Sequence, residues 1–341
     1  MFKKEHMEKI KLYQLRNSSG FGVDVSNLGG TVVSLYTPDR DGNILDVALG
    51  FDELSDYLDN PFYFGTTVTR VAGRLAGASI DIAGRSYKLP ANDNGNTLHG
   101  GGSCRYDFFR VSKLDPATLS LRYDYPALEC GFPGNLALEV IYQISDENEL
   151  IIDYAAKSDA ATPVNLTSHL YFNLNGNASG DISGHRFAIN SSERIVTDRN
   201  LIPTGMKAAL DGTPYDLRTP TLFSSISDKL ENGFDDYFIL ETAAPGFMDA
   251  MAYSEKSGIE MRVYTTELGI QFYTGNFLDG TVAGKSGYRY GRHGGFCMET
   301  MGYPDAIHHA GFPSNVLHPD DTYRQRTIYK FLTRNPGEYD D

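Results

Sequence analysis

Apolar side chains recur at every second residue over long runs of the chain, and this period of two constrains the fold more than any other feature. In residues 136–144 the apolar positions are Leu136, Leu138, Val140, Tyr142 and Ile144, and the alternation resumes in residues 150–156. Residues 145–148 between the two runs are Ser, Asp, Glu and Asn, which favour turns. Because successive side chains of a strand point to opposite faces, the pattern predicts a β-hairpin with one buried face.

The same rhythm appears in residues 21–36 around Gly29 and Gly30, in residues 109–123 around Asp115 and in residues 260–273. A helical pattern stands out in residues 51–58, enough for a turn or two. Many short strands separated by turns predict an all-β fold, a large antiparallel β-sandwich with few short helices. No repeat or shift in composition divides the chain, which predicts a single domain over residues 1–341, although two packed sandwiches would give the same pattern.

Charge and composition narrow the function classes. The chain has 30 Lys plus Arg against 44 Asp plus Glu, a net charge of −14, with no local basic stripe, so nucleic acid and anionic lipid are not expected partners. No run of apolar residues is long enough to span a membrane. Three cysteines are too few for a disulfide framework, and the charged start of the chain lacks an apolar leader. These features predict a cytoplasmic protein, and either a monomer or a homodimer is compatible with them.

Several polar residues lie where apolar ones are expected. Glu299 interrupts the apolar run 295–301, and His169 lies in an uncharged, strand-like run over residues 162–173. Arg74 and Asp235 are charges at predicted strand edges. Each of these has an ordinary structural explanation when taken singly, as a surface charge or a satisfied core histidine. A buried carboxylate is nevertheless rare without a partner or a purpose, and burial raises its pKa toward the range useful for proton transfer.

Other chemistries are poorly supported. Adjacent His308 and His309 would point to opposite faces of a strand, so they do not predict a metal site. His99 begins a His-Gly-Gly-Gly run like that of lipases, but the chain has no Gly-x-Ser-x-Gly nucleophile turn. Histidine, carboxylate and arginine without a metal set or a nucleophile indicate general acid–base chemistry that needs no cofactor.

At these residues the chain resembles the aldose 1-epimerase (galactose mutarotase) family. The resemblance runs nearly end to end, through seven blocks in the same order. They are residues 64–75, Asn96-Thr-Leu-His-Gly-Gly101, Gly131-Phe-Pro-Gly134, residues 162–174, Asn232-Gly-Phe-Asp-Asp236, Gln271-Phe-Tyr-Thr-Gly-Asn276 and residues 299–306.

The resemblance implies a large antiparallel β-sandwich and an isomerase that interconverts the anomers of a small-molecule aldose without metal or nicotinamide. It implies that Glu299 is the base at the C1 hydroxyl and His169 the acid at the ring oxygen, with His99 hydrogen-bonded to the ring oxygen or a neighbouring hydroxyl. Sugar-hydroxyl ligands are implied at three further positions, Arg74, Asp235 and Gln271. Since the chain has no Trp, any aromatic surface for a sugar must be Tyr or Phe.

The chain also departs from the family pattern. Gly73 replaces a usual asparagine, Met301 a common glutamine, and residues 102–107 lack a usual glycine and a later tryptophan. These departures leave the acid and base in place and raise the prospect of a different preferred aldose. Two alternatives stay open: a sugar-binding protein of the same fold without turnover, and a glycoside hydrolase that uses Glu299 with Asp235 as its carboxylate pair.

Overall fold

The structure, a computed structural model, describes residues 8–241 and 248–337. Most of its regular structure is β-strand. The strands of the first hundred residues are β1 (Leu12–Arg16), β2 (Gly22–Ser26), β3 (Thr31–Pro38), β4 (Ile44–Asp46), β5 (Thr67–Val68), β6 (Arg74–Leu75), β7 (Ser79–Ile82), β8 (Arg85–Lys88) and β9 (Thr97–Leu98).

The middle of the chain contributes the longest hairpin. Its strands are β10 (Arg110–Asp115), β11 (Thr118–Tyr125), β12 (Leu136–Ile144), β13 (Glu149–Ser158), β14 (Thr162–Pro163), β15 (Thr167–Ser168), β16 (Tyr171–Phe172), β17 (His185–Ile189) and β18 (Ser191–Thr197). The last third adds β19 (Pro203–Ala209), β20 (Thr221–Leu222), β21 (Asp235–Leu240), β22 (Ala250–Ser254), β23 (Ile259–Thr265), β24 (Gly269–Tyr273), β25 (Phe296–Met301), β26 (Val316–Leu317) and β27 (Tyr323–Thr333).

Helices in the described residues are all short. One turn of α-helix, α1, covers Phe223–Ile226. The remainder are 3₁₀ turns at Leu54–Asp59, Ala76–Ala78, His99–Gly101, Ser103–Tyr106, Glu129–Gly131, Ser227–Lys229, Lys285–Gly287 and Ala306–His308. The turn at Leu54–Asp59 confirms the weak helical pattern in residues 51–58. In the described part of the chain no helix has the length and apolar character to cross a bilayer.

Two large antiparallel sheets form the body of the fold. Among the described residues, the larger has nine strands in the order β10-β11-β12-β13-β27-β23-β22-β17-β20, and the second has six in the order β16-β25-β24-β21-β18-β19. Strands β12 and β13 pair as the sequence predicts, with Leu136 opposite Ser158 and Ile144 opposite Leu150. The predicted all-β, antiparallel fold is therefore confirmed.

The hydrophobic core contains side chains of both large sheets. From the nine-stranded sheet come Val140, Ile152 and Val263, all fully buried. From the six-stranded sheet come Phe272 and Phe296, together with Ile270, Met298 and Phe238. Because side chains alternate along a strand, the residues between these, such as Gln271 and Glu299, face away from the core. The back of the six-stranded sheet is thus free to carry polar groups.

The run 260–273 is not one hairpin. Strand β23 pairs with β22 and β27 in the nine-stranded sheet, whereas β24 pairs with β21 and β25 in the six-stranded sheet. The chain therefore passes from one layer to the other within this run. Both strands alternate because each turns one face toward the shared core, and alternation alone does not identify the sheet to which a strand belongs.

Candidate active site

A pocket lies on the back of the six-stranded sheet, and its floor comes from three adjacent strands. Register places Gln271 on β24 directly opposite Glu299 on β25, and Tyr237 on β21 directly opposite Gln271. Two residues before Tyr237 on β21, and therefore on the same face, Asp235 pairs with Tyr273 of β24. These five side chains all line the pocket. Alternate residues of these three strands therefore form the polar floor of the pocket, and the residues between them point to the other face of the sheet and fill the core.

Loops around the floor supply the walls. The β6–β9 ladder pairs Arg74 with Leu98 and so brings the guanidinium next to the turn that carries His99. His169 lies between β15 and β16. Its backbone N–H donates to the carbonyl oxygen of Thr66 at 2.9 Å, and its backbone carbonyl accepts from the N–H of Gly65 at 3.0 Å. All six site residues predicted from the sequence line this one pocket: Arg74, His99, His169, Asp235, Gln271 and Glu299.

The centre of the pocket is a carboxyl and an imidazole that face each other. Nε2 of His169 lies 3.8 Å from Oε1 of Glu299, and the two residues are 7% and 3% exposed. Burial raises the pKa of Glu299 well above its ordinary value, and the nearby Asp235 adds to the rise. Burial lowers the pKa of His169. Both effects favour the uncharged forms of these groups. The dry pocket therefore favours protonated Glu299 beside neutral His169, with one proton to pass between them.

His99 is fixed as a neutral hydrogen-bond donor. The N–H of Gly73 donates to Nδ1 of His99 at 3.3 Å, so the hydrogen of the neutral ring is on Nε2. Burial lowers the pKa of His99 well below its ordinary value, and the charges of His169 and Arg74 lower it further. The backbone N–H of His99 in turn donates to Gly73 O at 3.0 Å. Two contacts with one glycine therefore set the position and the tautomer of this histidine.

The His99 turn also depends on a close backbone approach. Gly100 has φ of +61°, and a Cβ at this position would lie 2.2 Å from the carbonyl oxygen of Thr69. A residue with a side chain is therefore excluded twice, by the backbone conformation and by contact with the neighbouring segment.

Charged and amide groups at one side of the pocket are linked by hydrogen bonds. Nε of Arg74 donates to Asp93 Oδ2 at 2.7 Å, and Nε2 of Gln271 donates to Asp235 Oδ1 at 2.7 Å. Burial raises the pKa of Asp235, while the charge of Arg74 and the bond from Gln271 lower it. This arrangement holds donors and acceptors in fixed positions for a polar ligand. Asp93 was not predicted from the sequence, where it is one acidic residue in a polar loop.

Aromatic rings complete the lining. Tyr171 stacks against His169 with a centroid distance of 5.0 Å, and Tyr273 meets the edge of the same imidazole at 6.5 Å. Phe277 stacks on Tyr273 at 6.1 Å and is 59% exposed at the pocket. The aromatic surface is built from Tyr and Phe, as the absence of Trp requires. Tyr171 was missed, although it lies two residues after His169.

Two of the three departures from the family pattern, Gly73 and Met301, lie next to each other in space. Gly73 and Met301 both line the pocket, and a Cβ built on Gly73 would lie 3.5 Å from Cε of Met301 and 3.3 Å from Cβ of Pro304. Gly73 has φ of +74°, which asparagine tolerates better than most residues. Together these three residues make one continuous apolar wall.

A metal site is poorly matched by the groups present. Ligand atoms of His169, Cys297 and Glu299 lie within 4.8 Å of one another. However, the thiol lies 3.6 Å from Nδ1 of His169 and the carboxylate 3.8 Å from Nε2, so they address different nitrogens of one ring. A single ion bound to one ring nitrogen of His169 would need the thiol and the carboxylate on the same side of the ring as that nitrogen. His308 and His309 instead share the carboxylate of Asp305, at 2.5 and 3.6 Å.

The chain is similar in sequence and in fold to proteins named aldose epimerases and galactose mutarotases. The family model described as aldose 1-epimerase matches residues 11–330. Galactose mutarotase of Rattus norvegicus is 41% identical over 94% of both chains, and aldose 1-epimerase of Escherichia coli K12 is 32% identical over 95% of this chain and 96% of its own. A solved aldose epimerase homologue from C. elegans superposes with a TM-score of 0.91 at 27% identity, covering 96% of this chain and all of the other.

Proposed function

The chain belongs to the aldose 1-epimerase family, and from this we propose that it interconverts the α and β anomers of free aldohexoses, galactose or glucose, by general acid–base ring opening and closure. The observation that carries the proposal is the buried pair of Glu299 and His169 with 3.8 Å between its carboxyl oxygen and Nε2. The two oxygens on C1 of a pyranose are separated by two covalent bonds. A carboxylate and an imidazole at this spacing can each contact one of them.

Ring opening requires two proton transfers, one at each of the two oxygens bonded to C1. Ionised Glu299 accepts the proton of the C1 hydroxyl while the imidazolium of His169 donates its Nε2 proton to the ring oxygen. The bond between C1 and the ring oxygen breaks, and C1 becomes an aldehyde carbon. Glu299 is then protonated and His169 is neutral with its remaining hydrogen on Nδ1, so the pair holds as many protons as before.

Ring closure reverses these transfers after C1 rotates about the C1–C2 bond. The former ring oxygen, now a hydroxyl, attacks the other face of the aldehyde, and Nε2 of His169 accepts its proton. Protonated Glu299 returns a proton to the carbonyl oxygen, which becomes the new C1 hydroxyl. Every atom and proton is restored, and only the configuration at C1 has changed.

The environment of the pair favours one of the two arrangements of the proton. Protonated Glu299 with neutral His169 serves ring closure, and ionised Glu299 with the imidazolium serves ring opening. Burial raises the pKa of Glu299 well above its ordinary value and lowers that of His169 to about 4, so the uncharged arrangement is the lower of the two in the dry pocket. A positioned acid or base contributes about 10²- to 10⁴-fold to such a step.

The other polar groups bind and orient the sugar. His99, with its hydrogen on Nε2, donates to the ring oxygen or a neighbouring hydroxyl. Arg74, Asp235 and Gln271 bind the remaining hydroxyls through charge-assisted and amide hydrogen bonds. Tyr and Phe rings cover the apolar faces of the sugar.

Exchange spectroscopy at chemical equilibrium tests the proposal. The anomeric protons of galactose and glucose give separate signals, and the protein is expected to produce exchange cross-peaks between α and β forms that a protein-free sample lacks. An aryl galactoside in the same buffer is expected to stay intact, whereas a glycoside hydrolase would release its aglycone. Binding of galactose without exchange would instead identify a sugar-binding protein.

A cytoplasmic location and a monomeric or homodimeric state remain predictions from the sequence.

A further inference from the structure

An aromatic ring lies nearly parallel to the imidazole of the acid–base pair. Tyr171 is on β16, two residues after His169, and its ring centroid lies 5.0 Å from that of the imidazole, with 21° between the two planes. The tyrosine is 2% exposed. Its ring is itself held by edge-to-face contacts with Phe64 at 5.0 Å and Tyr273 at 5.9 Å. The neighbouring rings therefore fix the face that Tyr171 turns toward the imidazole.

The acid–base cycle passes through a charged arrangement that the pocket disfavours. Ring opening begins with ionised Glu299 beside the imidazolium of His169. Burial raises the pKa of Glu299 and lowers that of His169, so the protonated carboxyl beside the neutral ring is the lower state. Because only the charged arrangement can open the sugar ring, kcat rises with its fraction. A group that stabilises the imidazolium more than the neutral ring therefore accelerates the reaction.

The face of an aromatic ring is such a group. It carries partial negative charge and attracts a cation within about 6 Å of its centroid, whereas an uncharged ring gains much less from the same contact. The attraction is strongest where water is excluded, as it is around buried Tyr171. The 5.0 Å separation between Tyr171 and His169 is therefore within the range of a cation–π contact.

The other groups that face His169 come from several elements. They are the carboxyl of Glu299 and the thiol of Cys297 on β25, and the rings of His99, Tyr63 and Tyr273. Among these rings only Tyr63 is nearly parallel to the imidazole, at 6.0 Å and 19°. A second cation, the guanidinium of Arg105, already lies 4.9 Å from the centroid of Tyr63. Tyr171 is thus the ring best placed to receive the charge of the imidazolium.

We propose that Tyr171 is a positioning residue for the general acid: its ring face stabilises the imidazolium of His169 by a cation–π contact and so raises the fraction of the pair that can open the sugar ring. The effect on kcat rests on the proposed function. The effect on the protonation of His169 does not, because it can be measured without turnover.

Rings of one shape and different charge separate the cation–π contact from packing. Tyr171→Phe keeps the ring and is expected to stay within about threefold of the wild-type kcat. Tyr171→trifluorophenylalanine, with fluorines at ring positions 3, 4 and 5, withdraws negative charge from the ring face. It is expected to lower kcat about tenfold relative to Tyr171→Phe, with KM changed less than about twofold. The monofluoro and difluoro rings are expected to give values in between.

The matched control places the same fluorines on a neighbouring ring. Phe64 contacts Tyr171 but is not among the residues that line the pocket. Phe64→trifluorophenylalanine is expected to stay within about twofold of the wild-type kcat, because its ring face is not the one that receives the imidazolium.

Titration of His169 in the Glu299→Gln background gives the second measurement, because the amide removes the proton that is coupled to the imidazole. Nitrogen-15 spectra follow the ring, and its signals are assigned by their loss in His169→Asn. The acid dissociation constant of the imidazolium is expected to be about tenfold larger with trifluorophenylalanine than with phenylalanine in place of Tyr171. Equal dissociation constants overturn the inference, as does equal kcat in the two folded variants that retain Glu299. If wild-type protein fails to exchange anomers, the proposed function fails while the titration still tests the contact.

Discussion

Oε1 of Glu299 and Nε2 of His169 lie 3.8 Å apart, with Glu299 on β25 and His169 on the short connection that leads into the adjacent strand β16. Glu299 is fixed within the six-stranded sheet, opposite Gln271. His169 is fixed by backbone hydrogen bonds to Gly65 and Thr66. Because each partner is held by its own backbone, the distance between acid and base does not depend on their attraction for each other. This is the preorganisation that a concerted pair requires.

Glu299 and His169 should therefore act as a unit. Glu299→Gln and His169→Asn are each expected to lower kcat by at least about 10²-fold, because each leaves one of two coupled proton transfers without its group. The double variant is expected to be no slower than the worse single variant by more than about threefold, since groups that act together are non-additive. Single-turnover polarimetry on all three proteins measures this. Losses that multiply fully in the double variant would mean that the two groups act independently.

Asp93 is expected to matter for binding through Arg74. The ion pair is partly buried, with side-chain exposures of 17% for Arg74 and 21% for Asp93. Asp93→Ala removes the acceptor that orients Nε, so KM for galactose is expected to rise about tenfold while kcat changes less than about threefold. Asp124→Ala breaks the exposed pair with Arg110 and is the matched control, with no expected kinetic effect. Equal kinetics in the two variants would contradict this role.

Gly100 is expected to be required for the His99 turn. Gly100→Ala combines a φ of +61° with a Cβ 2.2 Å from Thr69 O, whereas Gly84→Ala has a comparable φ of +75° and no atom within 4 Å. Both variants bear the backbone cost of about 1 kcal/mol, and Gly100→Ala is expected to lose about 2 kcal/mol more. Urea unfolding measures the difference, and kcat/KM is expected to fall in Gly100→Ala alone. Equal stability of the two variants would mean that the His99 turn can accommodate the added Cβ with no loss in the free energy of unfolding.

Asp107 is expected to make stability depend on pH. Burial raises its pKa to about 7, although the hydroxyl of Tyr125 donates to its Oδ2 at 2.5 Å and opposes the rise. The folded state then binds a proton that the unfolded state releases near its ordinary pKa of 3.8, so this carboxyl lowers the free energy of unfolding as pH rises from about 4 to 7.

Asp107→Asn removes that titration. Relative to wild type, the variant is expected to gain about 1–3 kcal/mol in free energy of unfolding between pH 5 and pH 8. Denaturant unfolding at the two pH values measures the gain. Comparing the difference between the proteins at two pH values cancels any fixed cost of the amide. A difference that does not change with pH would show that Asp107 is not protonated in the folded state near neutrality.

Much of the fold could be predicted because alternation reports which face of a strand is buried. The hairpin of β12 and β13 follows from it. The direction of Glu299 does not, because residues 295–301 form a largely apolar run without alternation and every residue of β25 is buried. The assignment of β23 and β24 to different sheets does not, because both strands alternate in the same way. Layer order is decided by contacts between distant segments, and these leave no local pattern.

The candidate site divides in a similar way. The six predicted residues stand out because polar groups interrupt apolar runs, or because they fall in the blocks that resemble the family. Cys297 and Tyr171 carried a usable signal, since each lies two residues from Glu299 or His169 and therefore on the same face. Asp93 carried none, because its bond to Arg74 depends on how a polar loop folds back over β6.

Polarimetry on freshly dissolved α-D-galactose tests the central claim most directly. At neutral pH and low buffer concentration, wild-type protein is expected to accelerate relaxation to the same final rotation that the sugar reaches alone. Glu299→Gln at equal concentration, with an unchanged thermal melting temperature, is expected to accelerate it at least about 10²-fold less. Wild-type acceleration in the Gln variant would contradict the assignment of Glu299 as the base, and no acceleration by the wild-type protein with galactose or glucose would contradict the proposed function itself.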